Sequence, residues 1–348
     1  MKSTAAAFVL GFLFLPASLF ARCPIPANGT LVVDAPAGNL IIDTSGTDAV
    51  DWDVNSKQIV GQETCGKDNV KITGTASSGA IKPIPDWHIK VPRTVILDLV
   101  TKAGSITIGH SEREINARTG GGDVTIGNVR GETSLFTTAG NIQAGNIWGN
   151  ADLKSSEAGN LALGDVTGEV SLWTKAGDVT IGSAAKILSA FTGGGNMFFR
   201  KVLGSFSGHN DAGSIRIEQA GSWVEASTGS GNIYVKMVPE KQAGDLHISL
   251  QAGTGDITLF MPSGMKADIQ ATGLGSQVKS DVPLVPRGLR GLQGQGLIPA
   301  LPGGRVAPAI PTITMSSFAT TQTGQRNGGG NAIKLHTSLG KIEIKLFN

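Results

Sequence analysis

The chain has 348 residues, with Lys and Arg at 29 against Asp and Glu at 27 and a formal net charge of +2. Scattered charge of mixed sign, without a basic stripe, argues against nucleic acid as a partner. Glycine, at 49 of 348 residues, is about twice its usual share, but it misses the every-third-residue spacing of collagen, and an apolar content of 40% argues against disorder.

At the N-terminus, Lys2 precedes an apolar run from Ala5 to Phe20, closed by Ala21-Arg22-Cys23. This layout predicts a secretory signal peptide over residues 1–21, cut after Ala21. Its removal takes away Lys2 and leaves a mature charge of +1 (+2 − 1). The run is short for a membrane span and Pro16 interrupts it, and no second long apolar run follows. No transmembrane segment is therefore expected in the mature chain. Arg22 fits poorly before a lipid-anchored cysteine. The two cysteines, Cys23 and Cys65, predict one disulfide in an exported protein. It would close about 43 residues and contribute roughly 3–4 kcal/mol in the chain-entropy account.

Residues 22–100 read as an N-terminal β coil or cap. GTLVVDAPAGNLIID (29–43) is an early, less regular copy of the unit that dominates residues 101–262. There the copies run TKAGSITIG (101–109), TGGGDVTIG (119–127), TTAGNIQAG (137–145), SEAGNLALG (156–164), TKAGDVTIG (174–182), TGGGNMFFR (192–200), NDAGSIRIE (210–218) and TGSGNIYVK (228–236). The glycines at the fourth position of each copy are 18 residues apart, with a single step of 19. After each glycine comes Asp, Asn or Ser, then apolar, variable, apolar. That period of two predicts a half-buried strand. Segments such as GNVRG (127–131) and GDVTG (164–168) read as turns. A second strand returns to the next threonine, with Ile115, Ala117 and Thr119, or Val170, Leu172 and Thr174, pointing inward. The expectation is an all-β, parallel β-solenoid with coils of about 18 residues and two strands per coil. The column Thr101, Thr119, Thr137, Ser156, Thr174, Thr192, Asn210 and Thr228 should form a ladder along its axis. Ser183–Leu188 is the one mature segment with some helical character.

A wider copy, LHISLQAGTGDITLFMP (246–262), follows, and residues 263–348 form a C-terminal β region. Within it the pattern fails across a Pro/Gly-rich loop at 282–326, then returns as NGGGNAIKLHTSLGKIEIKLF (327–347). The N-terminal coil, the long loop and this final strand pair are the candidate caps that guard the sheet edges.

Taken together, IKVPRTVILDLVTKAGSITI (89–108), the run of TxxG[DN][IV] units and the ending NGGGNAIKLHTSLGKIEIK resemble the bacterial putative-adhesin domain family. The resemblance covers roughly residues 30–348 apart from the loop. It implies a right-handed parallel β-helix-like fold and a place at the cell envelope, and it carries no catalytic residues to transfer.

Chemistry is sparse. Asp123, Asp178 and Asp256 share a column with Asn141, Asn160, Asn196 and Asn232, which is what a turn-forming position looks like. Asp152 with Glu157, or Asp165 with Glu169, are carboxylates that folding could pair for glycoside hydrolysis. Calcium-binding nonapeptide rolls use a unit half as long. His88, His110, His209, His247 and His336 lack metal-ligand spacing, and no serine sits in a GxSxG elbow. The outward aromatics stand out: Phe136, Trp173 and Phe191 precede ladder positions, with Trp173 and Phe191 about 5 Å apart on adjacent coils. Phe198 and Tyr234 lie in the outward column of the other sheet. Either the chain's own loop or termini cover these rings, or they form a binding surface. The resulting expectation is a non-enzymatic exported binding scaffold without cofactor, its partner a polysaccharide or an envelope protein, located in the periplasm, at the cell surface or outside the cell. The alternative is a carbohydrate-active lyase or hydrolase.

Overall fold

The computed structural model describes residues 23–77, 81–240, 244–274, 277–286 and 319–348. The expected signal peptide and the centre of the Pro/Gly-rich loop lie outside the described residues. Among these residues there is no α-helix, and Ser183–Leu188 falls at the end of one strand, a bend and the start of the next. The strands make two large, mostly parallel sheets of 15 and 16 members. Successive strands alternate between them: Ile115–Thr119 lies in the 16-stranded sheet, Val124–Ile126 in the other, Thr133–Ala139 back in the first. Neighbours within a sheet are one repeat apart, as in Ile115↔Thr133 and Val124↔Ile142.

One core runs through the molecule, because both predicted apolar columns and the inward residues of the return strands are buried. A third buried column was not expected. Val129, Ile147, Val166, Ala184, Val202, Ala220 and Met237 are all buried and align in parallel from coil to coil. The segments read as turns therefore each send one apolar side chain inward.

Three hydrogen-bond ladders occupy the corners. Thr119, Thr137, Thr174 and Thr192 each donate their hydroxyl to the glycine carbonyl of the preceding coil, at 2.7–2.9 Å. Asn210 fills the same place through its amide, 2.7 Å from the Gly195 carbonyl. In the coil with the 19-residue step the ladder residue is Ser155, not Ser156. Ser155 pairs with Thr137 and Thr174 and donates to Gly140 at 3.3 Å, while a register shift absorbs the extra residue. Gly122 shows why glycine is required beside this ladder. Its φ of 129° disfavours any side chain, and a Cβ there would lie 2.6 Å from the Gly104 carbonyl carbon.

The second ladder explains the Asx column. Asn141 N–H donates to Asp123 Oδ1 (2.7 Å), Asp178 N–H to Asn160 Oδ1 (2.8 Å) and Asn196 N–H to Asp178 Oδ1 (2.7 Å). Short side chains with an acceptor oxygen satisfy the next coil's amide, so Asp, Asn and Ser interchange. A third, shorter ladder runs through His110, Asn128 and Asn146 at the next turn.

The ends of the chain thread inward. Thr30–Ala35 sits between Ile96–Thr101 and Asn69–Ala76 in the larger sheet. Asn331–Leu339 sits between Ile248–Thr254 and Ala267–Leu274, and Ile342–Phe347 enters the other sheet beside Ile257–Pro262. The final strand pair is thus not a cap and not a hairpin, since its two strands belong to different sheets. Ile59–Cys65, antiparallel to Asn69–Ala76, borders the larger sheet at one end. Ala319–Arg326, antiparallel to Ala267–Leu274, and the short Val285–Pro286 border it at the other. Cys23 and Cys65 form the predicted disulfide, Cα atoms 5.5 Å apart, joining the edge of one sheet to the edge of the other.

Candidate functional site

The outer face of the 16-stranded sheet carries a long column of variable side chains. Strict pairing places Arg118, Phe136, Lys154, Trp173, Phe191, His209, Ser227, Gln251 and His336 on successive rungs. Trp173 and Phe191 stack, with ring centroids 5.7 Å apart at 13°, and Phe191 stacks on His209 at 5.8 Å and 19°. The Lys154 ammonium sits 4.8 Å over the Trp173 ring. These rings therefore spend their faces on one another and on Lys154, and turn their edges outward. Phe136 lies beyond Lys154, one rung out of the stack.

Phe198 and Tyr234 lie on the other sheet, across the core, separated by Arg216. Arg216 covers the Tyr234 ring at 4.1 Å and pairs with Glu218 at 2.6 Å. Tyr234 also tilts against Phe260 at 5.4 Å. The five aromatics thus lie on the two sheets expected of them, Phe136, Trp173 and Phe191 on one and Phe198 and Tyr234 on the other. Phe198 keeps 37% of its surface exposed; Trp148, with Arg130 5.6 Å from its ring, is more open at 46% and was not singled out in the sequence.

Below the aromatic stack the face becomes polar and concave. A depression of about 470 Å³ is lined by Phe191, Ser207, His209, Glu225, Ser227 and Gln251, among others. It shares Ser249 and Gln251 with a second, of about 190 Å³, that reaches His336. That one shares Gln270 and Lys334 with a third, of about 840 Å³, walled by Pro283, Val285 and Thr323 at the stem of the long loop. The three make one groove running rung to rung along the sheet.

Two histidines on this face are held by carboxylates. His209 Nδ1 is 2.7 Å from Ser227 Oγ, and its Nε2 is 2.9 Å from Asp211 Oδ1. His247 Nδ1 is 2.8 Å from Asp245, its Nε2 is 3.4 Å from Glu225, and its ring stacks on Trp223 at 5.1 Å. Bonds from the His247 backbone N–H and ring lower the Asp245 pKa below the usual carboxylate range. The sequence signal for these pairs is weak, because each histidine meets partners two residues away and one coil away at once.

The carboxylates proposed for pairing go elsewhere: Glu157 meets Lys175 at 3.0 Å and Asp165 meets Arg200 at 3.0 Å. Asp123 and Asp178 each accept the next backbone amide at Oδ1, the turn role that the Asx column predicts. Among the described residues, Cys23, Glu63 and Cys65 fall together as potential metal ligands, but the two sulfurs are bonded to each other. Burial raises the Glu63 pKa; a hydrogen bond from Trp52 opposes the rise and Asp51 adds to it. Among the described residues no helix is long and apolar enough to cross a membrane.

No protein-family profile matches the chain, and no curated protein is detectably similar. Among solved structures, a putative cell adhesion protein from Clostridium sporogenes aligns with 10% identity over 92% of this chain and 93% of its own, with a TM-score of 0.17.

Proposed function

We propose that this chain is an exported β-solenoid that binds an extended polysaccharide along the outer face of its 16-stranded sheet. The alternation of strands between two sheets at one repeat per step supports the solenoid. The N-terminal apolar run and the disulfide support export into an oxidising compartment. The family resemblance supports a place at the cell envelope.

The observation that carries the binding reading is the continuity of the groove: three depressions joined by shared Ser249, Gln251, Gln270 and Lys334. Its floor repeats at the strand spacing of about 4.8 Å and presents the hydroxyls of Ser207, Ser227, Ser249 and Thr272 and the amides of Gln251 and Gln270. Such a row of donors and acceptors suits a polyhydroxylated polymer. Hydrogen bonds, not ring faces, would do the recognition, since Trp173 and Phe191 are stacked on each other.

Binding of the full mature chain to soluble neutral, acidic and amino polysaccharides and to cell-wall fractions tests this. Gln251→Ala should weaken the retained ligand about fivefold, the worth of one hydrogen bond, while Thr125→Ala on the other sheet leaves it unchanged. Retention of no polysaccharide, or capture only of envelope protein, overturns the reading.

A further inference from the structure

We infer that Ser227, His209 and Asp211 form a nucleophilic relay in this groove, able to cleave small acyl esters. The inference goes beyond polymer binding; only the polymeric nature of the substrate rests on that reading.

Strand pairing builds the relay. His209 lies on Phe206–Ala212 and Ser227 directly beside it on Val224–Ser230, in strict register. Asp211 is two residues beyond His209, so strand alternation keeps both on the outer face. The distances are 2.7 Å from Ser227 Oγ to Nδ1 and 2.9 Å from Asp211 Oδ1 to Nε2. A carboxylate only accepts, so Asp211 holds the proton of the neutral ring on Nε2 and leaves Nδ1 as the acceptor. Ser227 must then donate to His209, which is the polarity a general base needs. Stacking on Phe191 at 5.8 Å fixes the ring plane. Such relays are recognised by geometry and roles rather than by sequence order.

Gln251 pairs in register with Ser227 on the next strand and lines the same depression. Its amide N–H groups are the candidate donors to an oxyanion. Phe191 offers the apolar edge against which a short acyl chain can lie, and the open, hydroxyl-lined groove suits an ester carried on a carbohydrate. Glu225 is turned toward His247 at 3.4 Å, outside the relay.

The chemistry balances with water as the co-reactant. Ser227 Oγ bonds to the acyl carbon as its proton passes to His209 Nδ1. The carbon–oxygen bond to the alcohol breaks, and that oxygen takes the proton. Water then attacks the acyl-serine, giving its proton to His209. Ser227 leaves with that proton, and a carboxylic acid is released.

The test follows acetate release from O-acetylated xylan and cleavage of p-nitrophenyl acetate by the full mature chain, with fluorophosphonate labelling read by mass spectrometry. Activity above buffer containing equimolar free imidazole, with an adduct on Ser227, is expected. Ser227→Ala should fall to background, Asp211→Asn should fall at least about tenfold, and Thr125→Ala should keep full activity. A wild-type rate no faster than imidazole, an unlabelled Ser227, or full activity in a folded Ser227→Ala variant overturns the relay. Polysaccharide retention measured on the same samples tells the two readings apart: binding without cleavage sinks only the relay.

Discussion

The corners of the repeats and the outer face of the 16-stranded sheet are made by the same strands, yet they tolerate different things. At the corner beside Gly159 and Thr174, each side chain serves the coil before it: Thr174 donates to Gly159 at 2.9 Å and Asp178 N–H is received by Asn160 at 2.8 Å. A change there breaks a bond that recurs from repeat to repeat, at a buried side chain in Thr174 and an exposed one in Asn160. One residue from Thr174, the outward column changes from Lys154 to Trp173 to Phe191 to His209 without disturbing the register. Repetition therefore marks what stacking demands, and variation marks where a ligand can be read.

Substitutions should break or sharpen that contrast in order of size. The largest effect is expected at the glycine beside the ladder. Gly122→Val combines the left-handed backbone with a clash on the Gly104 carbonyl and should cost about 3 kcal/mol or more. Chemical denaturation followed by circular dichroism measures it. Opening the clasp with Cys23→Ser plus Cys65→Ser should cost roughly 3–4 kcal/mol in the same assay, with the loss localised to the first coils by hydrogen exchange. Thr174→Val strips the buried hydroxyl from the Gly159 carbonyl and should cost about 1–2 kcal/mol, whereas Ser171→Ala on the exposed face should stay within about 0.5 kcal/mol. If the two cost the same, corner and face are not different in kind.

A gain is predicted where the ladder has a gap. Ala252 is buried and pairs with Thr228 on one side and Thr337 on the other. Ala252→Thr would restore the missing hydroxyl and should raise stability by about 1 kcal/mol. The smallest expected effect depends on pH. Because burial raises the Glu63 pKa, folding favours its protonated form, and the ionised form weakens the fold as pH rises through that value. Glu63→Gln should therefore be more stable than the parent at neutral pH, with the difference vanishing below about pH 4.5.

Much of the interior was legible because it repeats. The Thr, Gly and Asx columns and two of the apolar columns could be read directly, as could the Cys23–Cys65 pair. Val129 and Ile147 read as turn residues in the sequence, since one apolar residue between glycines carries no period of its own. The choice of Ser155 over Ser156 depended on where the extra residue of one coil is absorbed, and strand register decides that. The inward threading of Asn331–Leu339 joins residues such as Ile248 and Ile333, far apart in sequence, and no local pattern encodes it. On the surface, alternation alone assigns Phe136, Trp173 and Phe191 to one sheet and Phe198 and Tyr234 to the other. It does not show the ring stacking, which takes up the faces that a sugar would need. The His209 relay was invisible because its parts come from two coils and lack any elbow motif.

Hydroxyl-radical footprinting of the mature chain, with and without a retained polysaccharide, reads both faces in a single experiment. Protection of Phe191, His209 and His336 with Phe198 and Tyr234 unchanged is the predicted result. Protection confined to Phe198 and Tyr234 would contradict the assignment of ligand binding to the 16-stranded sheet.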